Sequence, residues 1–286
     1  MYLLFDIGAT KMRFALTTDD NTVGQVRIVQ TPQNFAQGLS VLQNTVEDMR
    51  KGEKITAVAG GIAGPLDAGK SMLINAPNMP DWAGKPLKHS LENAFDMPRV
   101  FLENDAALVG LGEAIAGNGK EHRIVAYITV STGVGGARIV NGQVDSNALG
   151  FEPGHQIVQA DGITCPGCGG KGHLEGYVGG RAIEVQYGKK PYEIKEPTAW
   201  DTITRWLAVG LANVCVLWSP NCIVLGGSVM ESISTDLLRS YLAQALTIFP
   251  APPQVVKATL GDEGGIQGAL ALIKQNEPKT QFVLDR

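Results

Sequence analysis

The chain has 286 residues, 44% hydrophobic and 18% charged, with a formal net charge of −4. That length buries roughly three quarters of the unfolded surface and exceeds the usual size of one core, so one large or two smaller domains are expected, and two is the reading adopted. The slight acidity gives no electrostatic footprint for nucleic acid, and no basic tail is present.

The first apolar run, Tyr2-Leu3-Leu4-Phe5, feeds a turn, Asp6-Ile7-Gly8-Ala9-Thr10-Lys11, and the chain returns through Met12-Arg13-Phe14-Ala15-Leu16. This start is too short for a secretory signal and lacks its positive residues, so a cytoplasmic protein beginning at Met1 is expected. Thr31-Pro32 reads as a helix start, with Leu39, Leu42, Val46 and Met49 on one helical face, and a strand over residues 55–62 follows. Asn104-Asp105 opens a helix through Ala106, Leu108, Leu111 and Ala114 that ends near Gly117. The boundary is placed there: residues 1–117 as a smaller α/β domain, residues 118–264 as a larger one.

A second strand–turn–strand enters through Ile124-Val125-Ala126-Tyr127-Ile128, turns at Thr129-Val130-Ser131-Thr132-Gly133-Val134-Gly135-Gly136 and leaves through Ala137-Arg138-Ile139-Val140. Asn141-Gly142 is a two-residue hairpin turn. Long helices are expected over 202–218 and 235–249, and a last one over 265–275. Residues 206–230 carry no charge, but Asn213, Ser219, Pro220 and Asn221 interrupt them, so they read as a buried helix, a turn and a core strand, not a membrane span. No low-complexity linker is present, and the tail after Glu277 is read as frayed.

The two glycine- and hydroxyl-rich turns carry the first chemical signal. A tight strand–turn–strand needs glycine where backbone approaches a ligand, and its N–H groups and Thr hydroxyls can surround an anion. Asp6 in the same turn can hold the magnesium that accompanies a nucleotide, and Lys11 adds a compact positive charge. Neither turn matches the Walker loop or the dinucleotide fingerprint, because strand follows where those need helix. Repetition of one device near residues 8 and 133 suggests a phosphate clamp split across a cleft. Asn104-Asp105, taken alone, is a good N-cap. Cys165-Pro166-Gly167-Cys168 with His155 and His173 offers two sulfurs and two imidazoles, enough for a closed tetrahedral zinc site. Four cysteines in a cytosolic chain argue against a disulfide framework, and Cys215 and Cys222 read as core.

With Gly61-Ile62-Ala63-Gly64-Pro65, Ala76-Pro77-Asn78, Glu103-Asn104-Asp105-Ala106, Glu152-Pro153-Gly154-His155, Gly172-His173-Leu174-Glu175, Pro220-Asn221-Cys222-Ile223-Val224-Leu225-Gly226-Gly227 and Leu260-Gly261-Asp262, the chain resembles the ROK family (repressor, open reading frame, kinase) over nearly its whole length. The resemblance implies an α/β fold of the two-domain actin and hexokinase-like ATPase type, with ribonuclease H-like halves and an interdomain cleft. The helix over 265–275 would cross back to the first domain. It implies an ATP-dependent kinase acting on the 6-hydroxyl of a hexose, glucose first, with N-acetylhexosamine or fructose as alternatives. Asp105 would be the catalytic base, and sugar would meet Gly64, Asn78, Asn104, Asp105, Glu152, His155 and Glu175. ATP and magnesium would meet Asp6, Gly8, Thr10, Lys11, Thr132 and Gly133, with Gly226 and Gly227 against the adenosine. Asp81 would join the rim, whereas Trp82 is read as packing.

A structural zinc would be held by His155, Cys165, Cys168 and His173, with His155 turning its other nitrogen to the sugar. Here the chain departs from the family pattern of Cys-x-Cys with a third Cys four residues on: it has Cys-x-x-Cys, and His173 replaces the third Cys. The family also contains sugar-responsive repressors, but those carry a helix-turn-helix before the first hairpin, and Asp6 is only the sixth residue here. A homodimer that meets sugar and ATP, and neither nucleic acid nor membrane, is the expected state.

Overall fold

The computed structural model describes residues 1–17, 22–76, 78–96 and 99–277. Pro77 and the tail beyond Glu277 lie outside the described residues.

Two five-stranded sheets share one topology. In the first, β1 (Tyr2–Ile7), β2 (Lys11–Thr17) and β3 (Arg27–Gln30) are antiparallel neighbours. On the other side of β1, β4 (Ala57–Ile62) and β5 (Val100–Asn104) run parallel to it. The second sheet repeats this with β6 (Ile124–Val130), β7 (Val134–Val140) and β8 (Gln143–Val144) antiparallel, then β9 (Cys222–Gly226) and β10 (Gln254–Lys257) parallel to β6. The continuous apolar runs of β1 and β6 follow from burial on both faces. Leu3, Phe5 and Ile7 enter one core while Leu4 faces another, and Ala126 and Ile128 alternate with Val125 and Tyr127 in the same way.

The layer shared by both sheets is formed by α3 (Asp105–Ile115) and α8 (Gly264–Gln275), packed with residues such as Leu4 and Ala59 of the first sheet and Tyr127 and Val224 of the second. Both helices are apolar almost all round, as helices buried on every side must be. They touch through glycine: a Cβ on Gly268 would lie 1.9 Å from the Leu108 carbonyl, and one on Gly112 would lie 2.3 Å from that of Gly264. Glu113, fully buried on α3, accepts from the N–H groups of Thr259 at 2.7 Å, Leu260 at 2.8 Å and Asn118 at 3.1 Å. It thereby fixes the chain that leads into α8.

The outer faces are covered by α1 (Phe35–Arg50) and α2 (Leu87–Phe95) on the first sheet, and by α6 (Pro197–Trp218) and α7 (Thr235–Ala245) on the second. Helices α4 (Leu174–Val178) and α5 (Gly180–Tyr187) join the core of the second sheet. Helix α1 begins later than Thr31-Pro32 suggests. Asn34 caps it, accepting from Gln37 N at 3.1 Å, while the Thr31 hydroxyl donates to the Gly8 carbonyl at 2.7 Å and the Pro32 carbonyl accepts the Trp82 indole. Asp81 accepts from Asn34 and Phe35 N, so it braces this helix start, and Trp82 is 1% exposed in the core.

Helix α6 starts five residues ahead of the expected Thr202, with Pro197 as its first residue. Helix α7 stops at Ala245 and not at Phe249, since Leu246 already leaves the helical region at φ −96°, ψ 73°. Asn141 and Gly142 both have positive φ, as their two-residue turn requires. The uncharged stretch 206–230 divides between α6, β9 and a short 3-10 turn. Among the described residues no helix is long and apolar enough to cross a membrane.

Candidate active site

A cleft of about 1260 Å³ opens between the sheets, and both glycine turns line it. Each turn is polarised by its surroundings. In the first, the carbonyls of Gly8, Ala9 and Thr10 accept from the Thr31 hydroxyl, Gln33 and Thr31 N, and that of Lys11 accepts Gly8 N at 3.0 Å. In the second, the carbonyls of Ser131, Thr132 and Gly133 accept from Gly180 N at 2.7 Å, Arg181 N at 3.0 Å and Ser131 N at 2.9 Å. With the carbonyls engaged inside the protein, each turn meets the cleft as a donor surface, which suits an anion.

Asp105 stands half-buried on the cleft wall as the first residue of α3. The cap belongs to its neighbour: Asn104 Oδ1 accepts from Ala107 N at 3.2 Å, and Asn104 Nδ2 donates to the Gly64 carbonyl at 3.2 Å. Asp105 is thus released from capping, and its carboxylate accepts from Ala106 N at 2.8 Å. Burial pushes its pKa upward. Behind it, Glu103 is almost buried, pairs with Lys70 and accepts from Asn104 N at 3.0 Å.

Asp6 faces the same cleft from the end of β1. Burial first, and then the nearby Asp105 charge, raise its pKa to about 6 against the opposing effect of Arg13. Arg13 bridges Asp6 at 3.3 Å and Asp262 at 2.6 Å. A lone charge inside the apolar strand Met12-Arg13-Phe14-Ala15-Leu16 was the available sign of this ion pair.

Glu152, His155 and Glu175 also line the cleft, as do Gly64 and Asn78. Burial raises the pKa of Glu152. Glu175 Oε2 accepts from Val134 N at 2.9 Å and its Oε1 from the Cys165 thiol at 3.3 Å, which ties the cysteine loop to the second glycine turn. Asn78 Oδ1 accepts from Arg181 Nη2 at 3.0 Å. Arg13, Tyr127 and Arg181 are lining residues that the sequence reading did not single out. Gly226 and Gly227, in contrast, are not among the cleft-lining residues. A Cβ on Gly226 would strike the Tyr127 hydroxyl at 2.4 Å, and Gly227 has φ +92° with Val130 backbone beside it.

Donor atoms of His155, Cys165, Cys168 and His173 lie within 4.8 Å of one another. The extra residue of the Cys-x-x-Cys spacing is absorbed in a tight turn, where Gly169 N donates to the Cys165 carbonyl at 2.8 Å and Cys165 N to that of Gly170 at 2.7 Å. Two sulfurs and two imidazoles form a donor set that zinc accepts. His155 Nδ1 is buried without a hydrogen-bond partner, the condition of a nitrogen facing a metal, while its Nε2 lies 3.8 Å from Glu152 Oε2. Cys215 and Cys222 are core residues, as expected.

This arrangement has full-length relatives. The chain is 30% identical over 312 residues to a glucokinase from Streptomyces coelicolor, covering 96% of this chain and 97% of that protein. It is also 30% identical over 302 residues to an N-acetyl-D-glucosamine kinase from Yersinia pseudotuberculosis, covering 95% and 98%. The structure of a ROK family glucokinase from Streptomyces griseus in complex with glucose and AMPPNP superimposes with a TM-score of 0.80 at 28% identity, covering 96% of this chain and 99% of that one. The sequence profile of the ROK family matches residues 2–276, and the chain belongs to the ROK family.

Proposed function

We infer that this chain is an ATP-dependent hexose kinase, and we propose glucose as the acceptor, phosphorylated at its 6-hydroxyl. The observation that carries the reading is the pair of donor-polarised glycine turns facing one cleft that also contains the uncapped carboxylate of Asp105. Phosphoryl transfer is mostly a matter of positioning and charge stabilisation, with a base near the attacking hydroxyl. Asp105 would accept the proton of the 6-hydroxyl as its oxygen meets phosphorus. Asn104, Asn78, Glu152, His155 and Glu175 would hold the remaining hydroxyls, carboxylates being strong acceptors for them.

Gly8, Thr10, Lys11, Thr132 and Gly133 would hold the phosphates, and Asp6 would hold the magnesium that accompanies ATP and offsets its charge. His155, Cys165, Cys168 and His173 would hold a structural zinc, whose contribution is to fix the loop between Glu152 and Glu175. Residues 1–117 with α8 would form one domain and residues 118–264 the other. N-acetylglucosamine is the second acceptor to consider, because the Yersinia pseudotuberculosis relative is also 30% identical. Release of ADP from ATP, followed across a panel of hexoses, tests the reading: glucose or N-acetylglucosamine should give the highest kcat/KM.

A further inference from the structure

Arg181 is the second residue of α5, whose N-terminus is seated on the second glycine turn. Glycine permits this seating: a Cβ on Gly180 would lie 2.7 Å from the Ser131 carbonyl, and one on Gly179 would lie 2.8 Å from that of Glu175. The backbone of Arg181 donates to the Thr132 carbonyl at 3.0 Å. Its side chain leaves the turn and crosses the cleft to Asn78 Oδ1 at 3.0 Å, on the wall built by the first half of the chain. One residue therefore touches the phosphate side with its backbone and the opposite wall with its guanidinium.

Because guanidinium only donates, Arg181 holds the amide oxygen of Asn78 and directs the Asn78 NH2 group elsewhere. An amide so fixed offers a donor to the ligand, and its rotamer is set before the ligand arrives. Glu175 makes a second link of this kind, since its carboxylate accepts from Val134 N at the other end of the same turn.

We propose that Arg181 is a positioning residue that orients Asn78 toward the sugar and couples sugar binding to nucleotide binding through the 131–133 turn. The inference rests on the hexose-kinase reading above. Occupancy of the turn by phosphate stiffens the base from which Arg181 reaches, so each substrate favours the arrangement the other needs, and linkage makes the effect reciprocal.

The test is calorimetric titration of glucose and of N-acetylglucosamine into the full-length protein, with and without saturating AMPPNP, for wild type, Arg181→Ala, Arg181→Lys, Asn78→Ala and the Arg181→Ala/Asn78→Ala double variant. Wild type should bind one sugar more tightly when AMPPNP is present. Arg181→Ala should lose about tenfold in sugar affinity, the size of one hydrogen bond to a charged group, together with most of the AMPPNP enhancement. Arg181→Lys should fall between the two, because it keeps charge without the planar fork. The double variant should be no weaker than Asn78→Ala alone. Thermal melts matching wild type identify the variants as folded. Wild-type affinity and enhancement in Arg181→Ala, or strictly additive losses in the double variant, would overturn the inference alone. Absence of sugar binding by wild type in either condition would overturn the kinase reading and the inference with it.

Discussion

At the scale of the residue, the proposed base Asp105 and the proposed magnesium ligand Asp6 are both held in surroundings that disfavour charge. Replacing Asp105 with Asn should lower turnover about a hundred- to ten-thousandfold while sugar affinity changes little, since a positioned base contributes on that order. Parallel turnover and binding measurements on one preparation check this, and near-wild-type turnover would return Asp105 to a purely structural role. The pH profile should carry the same signature. A carboxylate whose pKa is raised is protonated at a higher pH than usual, so it loses its power to accept a proton or hold a cation as pH falls. The acid limb of kcat/KM for ATP should therefore lie near pH 6, the value for Asp6, and not near the ordinary carboxylate range around 4. The linkage to stability has the opposite sense: the ligand-free protein gains from Asp6 when it is protonated and loses that gain as pH rises through about 6. In Asp6→Asn the limb should move to lower pH, with weaker nucleotide binding.

At the scale of the element, the cysteine loop is tied to the second glycine turn through Glu175, and α3 carries Asp105 on the cleft wall. Protein purified without added metal should contain a single zinc per chain, and His173→Ala should lose it. Chelation should lower the melting temperature and weaken sugar binding more than AMPPNP binding, because the loop ends at Glu152 and Glu175. Equal loss of both ligands would mean general unfolding. Full zinc occupancy in Cys165→Ser would remove Cys165 from the ligand set. In the helix pair, Gly268→Val forces carbon atoms against the Leu108 carbonyl and should cost about 1–3 kcal/mol or more, measured by urea denaturation. The turns were legible in sequence because their requirements are local: glycine, hydroxyl and aspartate between two apolar strands. The start of α1 was not, because Thr31 and Pro32 bond to the Gly8 turn and to Trp82 instead of opening a helix. Arg13 and Arg181 were also missed, since their partners Asp262 and Asn78 lie 249 and 103 residues away in the chain.

At the scale of the molecule, two copies of one strand order enclose α3 and α8, and the catalytic candidates sit where the ends of these layers meet. The repeated topology explains the repeated turn: β1–β2 and β6–β7 are equivalent hairpins, each presenting its loop to the same cleft. The division of labour follows from that symmetry. Acidic residues near the first turn suit magnesium and proton transfer, while the second turn is braced by Glu175 and α5. Transfer of a phosphoryl group from ATP to a hexose is tested most directly by identification of the product. Incubation with ATP, magnesium and glucose or N-acetylglucosamine, followed by phosphorus NMR, should show a sugar 6-phosphate formed in equal amount with ADP, and neither product with Asp105→Asn. ADP release without any sugar phosphate, or no sugar-dependent ADP with any hexose, would contradict it.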